Sequence, residues 1–518
     1  MNNNPLQNII WQAIAQKIRT AADLKKVKAA MAKKTGIPIV ANSQILAEYR
    51  QLIAQGKLKR DEHLWALFSK RQVRNLSGVA VITVLTKPYY CPGRCVYCPT
   101  EARMPKSYLA NEPGAARALG QNFDPYQQVK TRLETLYNNG HETDKCELLV
   151  LGGTWTVYEP DYQEWFLKRC FEAFNKQPAP DFETAKKINE TAQHRIIGLT
   201  LETRPDYITR LEIKRMRQFG CTRVQLGVQT TDEEILRKIK RDQTNAQVIM
   251  ATRLLKEAGF KISHHYMPML PGATPAKDLQ IFKDVFQTAD YQPDHIKIYP
   301  TSVLKTSVLY QWWKDGKYQP YEQSVLRKLL IDMQKLIPEW VRVERVIRDI
   351  PESSVYAGNK ATNLRQLLEQ ENNSCRCIRC REPHDQHLAL KQNLQLVKRS
   401  YQASAGEEVF LSFENTSKTV LYAFLRLRFQ HLKKHFIPEL QDAALIREIH
   451  TYGQLAKIEG GQSHVQHLGL GRRLMQEAER LSVEAGYKKI AVIAGIGVRE
   501  YFRKLNYQLA GEYMVKDL

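Results

Sequence analysis

VAVITVLTKPYYCPGRCVYC (79–98) runs from a β-branched, apolar stretch straight into three cysteines spaced C-x3-C-x2-C. The first eight residues have the composition of a strand buried on both faces, the kind found in parallel sheets covered by helices. Cys91, Cys95 and Cys98 then fall on one short loop at the strand's C-terminal end. Three thiolates so placed can hold three irons of a [4Fe–4S] cluster and leave the fourth iron open to a chelating ligand, which Tyr97 could cover. The alternative is a zinc loop, but zinc wants a fourth protein ligand and none lies close by in sequence.

Further runs of the same kind follow: CELLVLGGT (146–154), IIGLTLET (196–203), TRVQLGVQ (222–229), KISHHYMP (261–268) and HIKIYP (295–300). Helical stretches separate them. About six βα units predict a partial or full barrel, with its chemistry at the C-terminal ends of the strands. The second run ends in Gly152-Gly153-Thr154, where small residues let the backbone approach a ligand. Cluster loop and glycine turn together resemble the radical S-adenosylmethionine superfamily. That resemblance implies S-adenosylmethionine as cofactor, its amino group at the glycine turn, and reductive cleavage to a 5′-deoxyadenosyl radical.

The flanks differ in character. Residues 1–75 read as helical, with Leu6, Ile10, Ile14 and then Ile45, Tyr49, Leu52, Ile53 at helical spacing. Lysines and arginines cluster there, at Lys25, Lys26, Lys28, Lys33 and Lys34 and again at Lys57, Lys59, Arg60, Lys70, Arg71 and Arg74. With a net charge of +23 over 518 residues, this basic extension is expected to face nucleic acid. The radical unit is expected over 76–365. A polar linker, 366–395, contains Cys375-Arg-Cys377-Ile-Arg-Cys380, a second triplet that follows no βα strand. Three thiolates and one histidine would close a tetrahedral zinc site, with His384 nearest and His387 behind it; a second iron–sulfur cluster is the other option. Cys146, Cys170 and Cys221 stand alone and read as small core residues.

Residues 396–518 read as a mixed α/β domain: EEVFLSFEN, VLYAFLRLRF and ALIREIHTYG as strands, a helix at 469–486, then KKIAVIAG. The turn Gln466-His-Leu-Gly469-Leu470-Gly471-Arg472 places backbone N–H groups at a helix N-terminus, a ready pyrophosphate site. The order of elements resembles the GNAT acetyltransferases, which bind acetyl-CoA there and often set a phenol, here Tyr501, near the thioester.

A radical domain, a Cys-rich linker and a GNAT domain in one chain resemble the catalytic subunit of Elongator and its stand-alone prokaryotic relatives. The likeness runs through KKTGIP, LGGTW, ETRPD, LGVQT, MPMLPG, KIYPT, VIRDIP, CRCIRC, REIHTYG, QHLGLG and YMVK. It implies a cytoplasmic enzyme acting on the wobble uridine (U34) in the anticodon stem-loop of tRNA. The radical takes hydrogen from the acetyl methyl of acetyl-CoA, the carbon radical adds to C5 of uridine, and hydrolysis of the thioester leaves a carboxymethyl-type group. Carried over by position, Cys91, Cys95 and Cys98 bind the cluster. Glu202 joins Gly152, Gly153 and Thr154 at the cofactor, and Lys145 contacts acetyl-CoA. Glu448, Ile449, His450 and Thr451 line the thioester. Gln466, Gly469, Leu470, Gly471 and Arg472 hold the pyrophosphate, with Tyr501 and Phe502 beside it. Where many relatives have two tyrosines, this chain has Tyr501-Phe502, so a role for the second hydroxyl is lost.

A reductant protein is implied and a homo-oligomer is left open. The chain shows neither an apolar run of about 20 residues nor a signal-peptide pattern at its start, so no membrane is expected. Three other readings remain: another radical tRNA modifier, such as a methylthiotransferase; a protein lysine acetyltransferase with a structural radical domain; and a non-catalytic tRNA scaffold with a redox-sensing cluster.

Overall fold

The computed structural model describes residues 4–69, 78–371, 374–383, 393–430, 432–452 and 469–518. Lys70, Arg71, Arg74, His384, His387 and Gln466 lie outside the described residues.

Six strands arise where the apolar runs stand: β1 (Ala80–Leu85), β2 (Lys145–Leu151), β3 (Arg195–Thr203), β4 (Arg223–Gln229), β5 (Lys261–Tyr266) and β6 (His295–Ile298). A small two-stranded antiparallel sheet pairs β7 (Val303–Leu304) with the distant β9 (Val355–Ala357). The sheet has a seventh strand that apolar patterning did not signal, β8 (Arg342–Arg345). Its sequence, RVER, is short and charged because its side chains enter a polar interior rather than a greasy one. All seven pair in parallel in the order β1-β2-β3-β4-β5-β6-β8, and β1 and β8 are its two edges. The barrel is therefore partial. Its outer face packs on helices such as Pro160–Asn175 and Asn245–Glu257, and in that core lie Cys146, Cys170 and Cys221, each with no exposed surface.

Four N-terminal helices, Pro5–Ala15, Ala21–Thr35, Asn42–Ala54 and Glu62–Phe68, enclose a core of their own. They dock beside the helix Pro125–Asn138, where the Arg50 guanidinium lies 3.8 Å from the Tyr137 ring centre and Trp65 donates to the Gly140 carbonyl. Lys25, Lys26, Lys33 and Lys34 stay exposed.

The second sheet comprises β10 (Gln395–Ala403), β11 (Gly406–Glu414), β12 (Leu421–Phe429), β13 (Ala443–Thr451), β14 (Lys489–Val492), β15 (Gln508–Ala510) and β16 (Tyr513–Asp517), ordered β10-β11-β12-β13-β14-β16-β15. The helix Leu470–Glu484 connects β13 to β14 and makes them a parallel pair. The segment between the sheets does not hang free. Leu368, Cys375 and Cys377 join the first core, while Ile378 packs with Phe410 and Phe424 of the second sheet.

Two features lock the halves together. Residues 495–497, Gly-Ile-Gly, lie on the backbone of β3, and a Cβ on Gly495 would land inside contact distance of the Ile197 carbonyl. Deeper in, a β-bulge in β13 leaves Arg447 opposite no residue of β12, which re-aims its side chain. Arg447 Nη1 donates to Asp294 Oδ1 at 2.9 Å and to Glu408 Oε2 at 2.9 Å, joining β6's approach segment to β11. All three side chains are fully buried.

Candidate active site

Along each strand of the first sheet, alternate side chains point inward, so the lumen is built in layers from the pleat. Lining the lumen are Lys145, Arg195, Lys261 and Arg342, then Glu147, Arg223, His295 and Glu344, and also Glu202, Gln225, His265 and Lys297. The charges are internally matched. Arg223 pairs with Glu147 and Glu344, each at 2.5 Å, and His295 Nδ1 lies 2.8 Å from Glu344. Lys297 donates to Gln225 at 2.5 Å, and burial pulls its pKa down to about 8. Burial likewise lowers Lys145, partly offset by Asp144.

At the strands' C-terminal ends the cysteine loop follows β1. Cys95 and Cys98 interact; the Cys98 thiol, then Arg241, draw the Cys95 thiol below its usual range against the effect of burial. Cys91 Sγ turns instead toward Thr154 Oγ1, 3.8 Å away. The three do not form a tight cage for a single ion, whereas Cys375, Cys377 and Cys380 do, with all three sulfurs within 4.8 Å of one another. A cubane takes its thiolates at separate corners, so the looser loop suits a multi-iron cluster and the tight triplet suits one ion.

Gly152 has φ +137°, and a Cβ there would collide with Thr86 Oγ1, so only glycine permits this turn. Gly153 and Thr154 border the same cavity as the cysteines. Glu202 accepts from Tyr108 Oη at 2.7 Å and lies 3.7 Å from His265 Nδ1.

On the second sheet, β13 pairs with β14 only over Ala443–Ile446, while its later residues pair with β12. The two strands thus part, and into the opening come Gly469, Gly471, Arg472 and Tyr501. A Cβ on Gly471 would stand 3.2 Å from Tyr501 Oη and 3.6 Å from Thr451 Oγ1, which fixes how close these groups are. Glu448 is engaged structurally: Arg426 donates to it at 2.9 Å and Lys261 lies 3.4 Å away. Against the effect of burial, Lys261 and then His295 and Arg426 hold it well below the usual carboxylate range. His450 stacks on Phe424 and meets Tyr452 edge to face, and burial lowers its pKa to about 4. Ile449 lines the cavity. Leu470 and Phe502 sit differently from the others: both side chains are buried in the second core, so Leu470 can meet a ligand only through its backbone and Phe502 only through the edge that borders the cavity.

A single cavity of ≈1810 Å³ joins these parts. It reaches from Cys91, Cys95, Cys98 and Thr154 through the polar lumen and Lys145 to Glu448–Thr451 and Tyr501. Two residues that spacing did not reveal stand over the cysteine loop. Arg241 donates to the Tyr97 hydroxyl at 3.3 Å and is held by Gln243 and the Gly227 carbonyl. Arg204, paired with Asp206, would block a side chain at Gly93. Arg204 belongs to the ETRPD motif, but nothing local marks either arginine as a neighbour of the loop, because each reaches it from a different strand end.

This fold and loop define a radical S-adenosylmethionine protein. The profile of the Radical SAM superfamily matches residues 86–285, and that of the Radical_SAM C-terminal domain matches 293–373. Membership implies a [4Fe–4S] cluster and S-adenosylmethionine, and the open thiol triad beside a backbone turn that admits no side chain fits both. Among full-length relatives, the tRNA uridine(34) acetyltransferase of Methanocaldococcus infernus is 42% identical over 94% of this chain and 93% of its own. That of Dehalococcoides mccartyi is 44% identical over 87% and 100%. Elongator complex protein 3 of Homo sapiens is 36% identical over 96% and 93%. The solved structure of archaeal Methanocaldococcus infernus Elp3 with an N-terminus deletion superposes with TM-score 0.75 at 41% identity, covering 85% of this chain and all of that one. The chain belongs to the family that carries the names tRNA uridine(34) acetyltransferase and Elongator complex protein 3.

Proposed function

We propose that this chain is a radical S-adenosylmethionine enzyme that installs a carboxymethyl-type group on C5 of the wobble uridine of tRNA, with acetyl-CoA as the source of the two carbons. The observation that carries the reading is the one cavity connecting the cysteine loop to the opening between β13 and β14. When bound at Cys91, Cys95 and Cys98, the cluster supplies, with S-adenosylmethionine, the radical needed to activate an acetyl methyl.

The protein's own groups have separable tasks in this reading. The backbone at Gly152 and Gly153, with Thr154 and Glu202, orients the cofactor. Gly469, Gly471 and Arg472 hold the pyrophosphate of acetyl-CoA at the helix N-terminus. Lys145 and the layer of cations beside it attract its anionic portion into the lumen, and Tyr501 stands by the thioester. The second sheet then acts as a GNAT-like acetyl-CoA domain, and 1–75, 76–365, 366–395 and 396–518 act as extension, radical unit, linker and acyl-carrying unit. A zinc ion at Cys375, Cys377 and Cys380 would pin the linker. An anticodon loop offers an unstacked base without melting a helix. The exposed lysines of the N-terminal helices give RNA a cationic approach, and a protein reductant supplies electrons. No helix among the described residues is long and apolar enough to cross a membrane, in keeping with a cytoplasmic enzyme.

The test uses the anaerobically reconstituted protein with tRNA, S-adenosylmethionine, reductant and acetyl-CoA labelled in its acetyl group. Label in carboxymethyluridine after digestion, dependent on S-adenosylmethionine, is the expected result. An intact cluster and bound tRNA without labelled uridine would overturn the reading in favour of a scaffold or a protein acetyltransferase.

A further inference from the structure

Directly ahead of Cys91 stand Tyr89 and Tyr90, and Tyr90 is 72% exposed. The chain holds them there by unusual means. The Lys87 N–H donates to Tyr162 Oη at 3.1 Å, and Tyr158 Oη donates to the Lys87 carbonyl at 2.8 Å. Pro88 stiffens the next step. Tyr89 stacks on Tyr158 with ring centres 4.8 Å apart and planes at 24°, and Tyr158 stacks on Tyr162 at 5.1 Å and 25°. Tyr162 in turn meets Trp165 at 5.6 Å. A column of rings, its three tyrosines held by their own hydroxyls, thus ends at Tyr89, and Tyr90, next in the chain and directly before Cys91, stands largely in solvent.

Cations lie beside this column and on the cysteine loop, together with the Glu159 carboxylate that accepts from Tyr89 at 3.4 Å. Lys87 Nζ lies 4.6 Å from the Tyr162 ring centre, and the Arg94 side chain is 76% exposed, with a loose 3.6 Å pairing to Asp242. Tyr207 lies within electrostatic reach of both Tyr90 and Cys91. Aromatic faces interleaved with cations match unpaired nucleotides, whose bases stack and whose phosphates are anionic.

We propose that Tyr90, next to the Tyr89 column, is the stacking platform for an unpaired nucleotide adjacent to the reacting uridine. This deepens the reading of RNA as substrate and rests on it. Its physical basis is position: a base whose C5 reaches the cavity must bring its chain neighbours past the cysteine loop, and Tyr90 is a largely exposed ring directly before Cys91, which lines the cavity. A platform there limits the reaction to nucleotides held in an open loop, because a base paired in a duplex cannot offer a free face.

The experiment measures binding of the full-length reconstituted protein to fluorescently labelled anticodon stem-loop RNA, intact or with an abasic nucleotide on either side of the wobble uridine. Wild type, Tyr90→Ala and Tyr90→Phe are compared, with the cluster's visible absorption as a check on the loop. The expected result is a loss of about 5- to 100-fold for Tyr90→Ala, little change for Tyr90→Phe, and an abasic penalty in wild type that Tyr90→Ala no longer shows. Unchanged affinity in Tyr90→Ala, with the abasic penalty intact, would overturn the platform while leaving the substrate reading in place. So would a variant that binds RNA normally but is reduced slowly by a protein donor, which would make the ring a docking point for that donor. Wild type that binds no stem-loop RNA would remove the substrate reading and the platform with it.

Discussion

Arg241 Nη1 lies 3.5 Å from Cys95 Sγ, and the guanidinium is buried. A fixed positive charge donating to a ligand sulfur stabilises the more negative, reduced state of a cluster. Replacing Arg241 with Gln removes the charge and keeps much of the shape. The midpoint potential of the reconstituted cluster should fall, by something on the order of 100 mV if the effective dielectric is about 20. A redox titration followed by electron paramagnetic resonance measures it. An unmoved midpoint would reduce Arg241 to a packing residue.

Lys256 Nζ is wholly buried, 3.5 Å from Asp294 and 3.7 Å from Glu408, with no hydrogen bond. Burial first, and then Arg447, brings its pKa from 10.5 to about 8. Between those values the unfolded chain holds a proton that the folded chain has released, so stability should rise with pH across that window, by up to roughly 3 kcal/mol. Lys256→Met should lose this slope and be as stable as wild type near neutrality, since Arg447 and Arg426 still answer Asp294. Urea unfolding at both ends of the window decides it; an unchanged slope counts against the assignment.

Removing the carboxylate instead should be costly. Asp294→Asn would leave Arg447, Arg426 and Lys256 buried around a neutral group, a loss of about 3–5 kcal/mol. Chemical denaturation would show it as a lower midpoint, and a change below about 1 kcal/mol would contradict the picture of an ionic lock.

Gly495→Ala drives a methyl into the Ile197 carbonyl of β3. Backbone cannot yield there as a side chain could. The expected outcome is separation or loosening of the two sheets, seen as faster amide exchange in both β3 and the 495–497 turn. Normal protection in both would mean the interface tolerates a shift.

Chelation should act on the linker and spare the cluster loop's sequence neighbours. If Cys375, Cys377 and Cys380 hold zinc, the purified protein should contain one equivalent, and Cys377→Ser should lose it together with part of its thermal stability. Full metal content in Cys377→Ser would refute the site.

Much of this molecule was legible from local pattern. The apolar runs located six strands because each is buried on its outer face whatever its neighbours are. The C-x3-C-x2-C spacing and the double glycine marked the loop and turn, since both are properties of a few consecutive residues. β8 was not legible, because its inner face meets Glu202-like polar layers and its four residues show no apolar excess. β10 escaped for a related reason: it is an edge strand, and its alternate residues face solvent.

The sequence by itself determined that the chain forms a parallel sheet with an iron–sulfur-competent loop at its C-terminal edge and a second α/β unit with an anion-binding turn. Those follow from periodicity and spacing, which act over a few residues. Only the tertiary structure decided that the two units share one cavity, that Arg241 and Arg204 stand over the cysteines, that a bulge turns Arg447 onto Asp294, and that Tyr90 is left exposed beside the cysteine loop. Each of these joins residues far apart in the chain, and the free energy of such contacts depends on packing that no local stretch encodes.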